Sequence, residues 1–260
     1  MSQYSFVWYS FVAGLAASFA CALGALPLLF KKFDVKENVG IGYAFAAGLM
    51  FAASVYNLLL PAFTIGGTAS LKLLPVVKTL SGLLLGALFT ALIHRWLEKN
   101  KDNSLVGSIG GRTSALIFIA MACHSIPEGV AVGVGFASET HNINYENLGL
   151  YIALAISIHN IPEGLAVALP LRAEGSSIFK CAFMAFLTSL PQAIFAVPAS
   201  LLVWLFEPLM TPLFGFAAGA MIFLVIVELI PESLEKNSRE TVGAVFIAGF
   251  SLMVLVQVLL

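Results

Sequence analysis

The sequence predicts an all-α, polytopic membrane protein of eight transmembrane helices, and three observations lead there. Of its 260 residues, 60% are hydrophobic and only 10% are charged, with a mean hydropathy of +0.97. The apolar residues gather in runs of about 20 or more, the length an α-helix needs to cross roughly 30 Å of hydrocarbon. Two of the runs carry nearly the same polar motif in mid-span, His-Ser-Ile-Pro-Glu-Gly at 124–129 and His-Asn-Ile-Pro-Glu-Gly at 159–164. Strands of a membrane barrel would be about half as long, so the runs read as helices that satisfy their own backbone groups in lipid.

In chain order the spans are expected at about 6–30, 39–60, 76–95, 113–137, 148–170, 178–206, 209–230 and 241–260. The first has no basic residue ahead of it and no small-residue cleavage site behind it, so it reads as a retained helix rather than a cleaved leader. The second carries Asn57 near its far end. The third, fourth and seventh contain Gly82 with Gly86, Gly129 with Gly133, and Gly215 with Gly219, a spacing that suits close helix packing. The fourth and fifth hold the repeated motif, and the sixth has Gln192 beside Pro191 near its centre. The longest connector, about 96–112, holds Lys, Asp, Asn, Ser and three glycines and reads as flexible. No connector is long enough for a separate domain, so 1–260 is expected to form a single transmembrane unit.

Composition excludes several function classes. The net charge of −1 points to no nucleic-acid partner. Cys21, Cys123 and Cys181 are odd in number, lack a CxxC pair and lie in or beside apolar runs, so no disulfide framework is expected. The basic residues, however, are distributed unevenly. All but Lys72 and Lys78 of the thirteen Lys and Arg fall on one side: Lys31, Lys32 and Lys36, then Arg95, Lys99, Lys101 and Arg112, then Arg172 and Lys180, then Lys236 and Arg239. By the positive-inside rule that side is cytoplasmic, and both termini face outward across a cell (inner) membrane.

The repeat extends beyond six residues, since Cys123 to Val132 matches Ile158 to Val167 at most positions. His124 and Glu128 are four apart, as are His159 and Glu163, so each pair shares one helix face. An ionisable group at the centre of a membrane helix costs about 2.5 to 3.5 kcal/mol on insertion scales and usually marks an ion or proton path. Consecutive helices run antiparallel, and a segment repeated in opposite directions is a common way to build a site at the membrane midplane. The imidazole and carboxylate donors suit Zn²⁺ and other first-row divalent ions, and a tetrahedral set of His124, Glu128, His159 and Glu163 is feasible. With no Lys or Arg near the midplane, a divalent cation would neutralise the two glutamates, and binding it should release protons. Pro127 and Pro162 each remove a backbone donor and should loosen the helix there. The alternative is that the prolines only kink their helices while each His pairs with the Glu of its own helix.

Other polar residues leave two readings open. Gln192 is either a ligand or an ordinary interhelical hydrogen-bonding residue. Glu228 and Glu232, in Glu-Leu-Ile-Pro-Glu, are either a metal relay or plain helix-end carboxylates, and Asn57 is similar, at the entrance. His94 and His141 read as solvated or interfacial.

On these residues the chain resembles the ZIP (Zrt/Irt-like) divalent-metal transporters, in their compact GufA-like prokaryotic branch. The likeness covers nearly the whole chain through eight helices, outward termini and the paired His-x-x-Pro-Glu-Gly. It implies a ZIP-type bundle, no enzymatic activity, no cofactor, and Zn²⁺ as transported substrate, with Fe²⁺, Mn²⁺ or Cd²⁺ as further candidates. The bilayer is the other partner, and a homodimer is a possible assembly. It further implies His124, Glu128, His159 and Glu163 as the main site, Ser125, Asn160 and Gln192 around a second position with bridging glutamates, and a transport bundle that moves against the other helices. Ser125 stands where many members have Asn, and Gln192 where many have Glu; both count against a second ion. The long His-rich loop of many eukaryotic members is absent. Two other classes use the same ligands: an intramembrane metal-dependent hydrolase, which lacks a His-Glu-x-x-His and an open position for water here, and a metal-sensing scaffold without flux.

Overall fold

The computed structural model describes residues 5–29, 35–64, 73–100, 111–141 and 147–259. These residues are helical nearly throughout, and no strand occurs among them. Among the described residues eight helices are long and apolar enough to cross a membrane: α1 (Ser5–Leu29), α2 (Asn38–Phe63), α3 (Leu73–Lys99), α4 (Thr113–Ser138), α5 (Leu148–Ala173), α6 (Ile178–Leu201), α7 (Val203–Leu234) and α8 (Arg239–Leu259). Most limits agree with the apolar runs. The link between α6 and α7 does not: α6 stops at Leu201 rather than 206, because Leu202 leaves helical geometry at φ −116° and ψ 43° inside a continuous apolar stretch. Apolarity alone gives no signal for such a turn. The link between α5 and α6 is marked in the chain, where Gly175 takes φ +91° and Ser177 caps α6 by accepting from the Lys180 amide.

Packing divides the helices into two bundles. α1, α4, α5 and α6 pack together, with α4 on α6 and α1 on α6 the most extensive seams; α3 packs on α7, and α2 packs on α8 and along α7. The bundles meet where α2 lies on α5 and α4 lies on α7. Within each bundle glycines let backbones touch. A Cβ on Gly82 or Gly86 would run into the Pro212 or Phe216 carbonyl, and one on Gly215 or Gly219 into the Thr79 or Leu83 carbonyl, so the two small-residue pairs seat against each other. Gly48 and Gly249 do the same between α2 and α8, and Gly133 sits on α6 at the Ala196 carbonyl. Burial follows this arrangement: 72% of an 18-residue apolar stretch of α2 and of α4 is buried, against 22% in α3 and 17% in α8.

Two backbone features differ from expectation. α4 and α5 stay α-helical through Pro127 and Pro162 rather than opening there. The widened turns occur elsewhere, as π-helical segments Ser54–Leu59 in α2 and Val225–Leu229 in α7, closed by bonds from Leu60 N–H to the Val55 carbonyl and from Ile230 N–H to the Val225 carbonyl. Pro61 and Pro231 follow them, and a proline lacks the amide that would continue the ordinary ladder.

Candidate metal site

α4 and α5 cross so that His124 and His159, each about midway along its helix, face each other with their glutamates. One ligand atom from each of His124, Glu128, His159 and Glu163 lies within 4.8 Å of the others, and all four residues are buried. The shorter contacts run between helices. His159 Nε2 is 2.5 Å from Glu128 Oε1 and His124 Nε2 is 2.9 Å from Glu163 Oε1. The pairs within a helix are longer, 3.1 Å for His124 with Glu128 and 3.8 Å for His159 with Glu163. Local pairing along each helix therefore does not account for the residues: each His meets the Glu of the other motif. Two imidazole nitrogens and two carboxylate oxygens at one point suit a borderline cation such as zinc.

The motif glycines explain how neighbours come close enough to complete the cluster. Gly129 follows Glu128 and lies against the α6 backbone at Gln192, while Gly164 follows Glu163 and lies against the Cys21 carbonyl of α1. A side chain at either position would hold the neighbouring helix away. Because α6 approaches at Gly129, Gln192 Nε2 donates to Glu128 Oε2. Asn160 Nδ2 donates to Gln192 Oε1 at 2.9 Å and to the Ala17 carbonyl at 3.0 Å. Thus Gln192 and Asn160 meet beside the four ligands, joined to them through Glu128. Ser125 does not join them through its proton, which goes to the Met121 carbonyl at 2.9 Å. Glu163 Oε2 and His124 Nδ1 are buried and make no hydrogen bond among the described residues.

Asn57 is at the cluster rather than only at an entrance, with its Nδ2 2.9 Å from His159 Nδ1. Nothing in its spacing marks that contact, which arises between helices remote in the chain. Glu228 and Glu232 belong to a separate group near the end of α7. Thr113 donates to Glu228 Oε1 at 2.7 Å and lies 3.3 Å from Glu232 Oε1. His94 Nε2 is 3.7 Å from Glu228 Oε2 with its side chain 18% exposed, so this partly exposed residue is part of the same group. Thr113 carried no sequence signal. The side chain of His141, with Lys31, Lys32, Lys36, Lys72, Lys101 and Arg112, falls outside what the structure describes.

Comparison with known proteins gives a consistent picture. The family described as "ZIP Zinc transporter" matches residues 97–257. The chain is 37% identical to "Zinc transporter GufA" of Myxococcus xanthus over 85% of its own length and 87% of that protein. It is 34% identical to "Zinc transporter ZIPB" of Bordetella bronchiseptica over 95% and 80%, and 30% identical to "Zinc transporter ZupT" of Stenotrophomonas maltophilia over 97% and 96%.

Proposed function

The chain belongs to the ZIP zinc transporter family, a multi-pass membrane transporter of metal and not an enzyme, and from that premise we propose that it carries Zn²⁺ into the cytoplasm through the His/Glu cluster. The observation that carries this reading is the convergence of His124, Glu128, His159 and Glu163 within 4.8 Å in a fully buried setting. The metal is substrate and not cofactor. Fe²⁺, Mn²⁺ and Cd²⁺ are further cargo by ligand type. Glu128 has one oxygen toward the histidines and the other engaged by Gln192, which favours a single tightly held ion.

In this reading α1, α4, α5 and α6 carry the ion as a body against α2, α3, α7 and α8. The glycine contacts support it, since each bundle is locked by backbone-to-backbone seats, while the atoms nearest a Cβ on Gly42 of α2 belong to the Leu169 side chain of α5. Glu228, Glu232, Thr113 and His94 then line the path toward the basic end, where Lys99, Arg172, Lys180 and Arg239 lie, and that end is cytoplasmic with both termini outside. A homodimer would use the thinly covered faces of α3 and α8.

Flux of a metal panel into proteoliposomes, with and without a pH gradient, tests transport directly. Zn²⁺ should enter, and hydrolysis of lipid or peptide without flux would reverse the reading. Orientation is tested by single cysteines: one near His141 should react with an impermeant thiol reagent in intact cells and one near Asn103 should not.

A further inference from the structure

His124 and His159 come from the same motif, yet their second ring nitrogens are treated differently. Nδ1 of His124 is buried without a hydrogen bond among the described residues, while Nδ1 of His159 is held at 2.9 Å by Asn57. The helices bearing the ligands belong to one bundle, and α2, which bears Asn57, belongs to the other. Asn57 is also within the π turn Ser54–Leu59. Such turns are rare, insert one residue into the helical register and gather at functional sites.

We propose that Asn57 is a positioning residue: from the opposite bundle its carboxamide holds Nδ1 of His159, so that Nε2 faces the ion only while the bundles stand in this register. The inference rests on the ligand set proposed above. A metal-bound imidazole uses one ring nitrogen as ligand, and a partner on the other fixes the ring's rotation and tautomer. A carboxamide can serve His159 in both conditions, because it offers an N–H on one side and a carbonyl oxygen on the other. It donates to a bare Nδ1 when the ring proton is on Nε2. When Nε2 gives its lone pair to the ion, Nδ1 carries the proton and the amide accepts after a half-turn about its last bond. An aspartate could do only the second, and an aliphatic side chain neither. His124, aimed by its own helix and by Glu163, stays with the site wherever the bundles stand, whereas His159 is fully supported only beside Asn57.

The test is Zn²⁺ titration calorimetry on the purified full-length chain, with proteoliposome flux alongside. Asn57→Ala and the size-matched Asn57→Leu should both weaken binding by about 10- to 100-fold, the usual effect of losing such a partner. Asn57→Asp should recover most of it, because an acceptor for Nδ1–H remains. In a His159→Ala background Asn57→Ala should cost nothing further, whereas in a His124→Ala background it should cost its full factor. Equal costs in the two backgrounds, or unchanged affinity in Asn57→Leu, would overturn the proposal. If His124→Ala and His159→Ala themselves bind Zn²⁺ as the native chain does, the ligand set is wrong and this inference falls with it. If they weaken binding and Asn57 fails to couple to His159, only this inference falls. Gel filtration separates these outcomes from misfolding, and Asn57→Asp carries the comparison should the apolar variants aggregate.

Discussion

In the bundle of α1, α4, α5 and α6, glycines bring backbones together around a polar cluster, whereas in the bundle of α2, α3, α7 and α8 the same device closes mainly apolar seams. The contrast shows in the side-chain amides and carboxylates, since hydroxyls in both bundles return to their own helix or reach a neighbour. In the second bundle Thr79 and Thr90 return their protons to the carbonyl four residues back on their own helix, which satisfies them without specifying a neighbour. In the first, Asn160, Gln192 and both glutamates bond across helices. Close approach alone therefore makes a stiff body, and adding polar groups that can be satisfied only by a neighbour makes a site. Between the bundles the described glycines make no backbone seat, and the polar links among the described residues include Asn57 with His159 and Thr113 with Glu228.

The largest effects should come from the cluster. Glu128→Ala and Glu163→Ala are expected to remove nearly all Zn²⁺ binding and flux, well beyond the about 10- to 100-fold loss of a supporting residue, in protein that still inserts and purifies. Glu232→Ala, outside the cluster, should keep calorimetric binding and lower flux alone. Native flux in either cluster variant would dissolve the distinction between the two regions.

Glycine substitutions probe the seams with an intermediate effect. Gly164→Ala drives a methyl group into the Cys21 carbonyl and should cost about 1 to 3 kcal/mol of stability. Gly42→Ala meets first the Leu169 side chain, which can turn aside, and Gly243→Ala meets nothing within 4 Å. Thermal unfolding in detergent should rank them in that order, and a Gly42→Ala as damaging as Gly164→Ala would mean that the bundles are locked to each other as firmly as within themselves.

The subtlest effect concerns Gln192. Two glutamates supply enough charge for one divalent ion, and a neutral amide adds a weak ligand without charge. Gln192→Glu should move Zn²⁺ stoichiometry from near one toward two, with the first affinity little changed. Two ions of similar affinity in the native chain would show that Asn160 and Gln192 hold metal without a third carboxylate.

Much of this molecule is legible along the chain. Span length follows from the hydrocarbon thickness, and the pairing of His124 with Glu128, or of His159 with Glu163, on one face follows from helical pitch, so the eight helices and four cluster residues could be named from local spacing. Gln192 beside Asn160 was foreseeable only in outline. The contact of Asn57 with His159, the role of Thr113, the π turns and the stop at Leu202 were not, since each depends on which helix lies alongside.

By itself, then, the sequence determined which side chains point from which helices and that two equal sets of donors exist, because pitch, apolar length and proline chemistry act over a few neighbouring residues. Only the tertiary structure decided that each His meets the Glu of the other motif, that Gln192 reaches Glu128 across Gly129, and that Asn57 supports one His and not the other. Those contacts depend on crossing angles and on approach distances of a few ångströms between helices distant in the chain, quantities that no local spacing encodes.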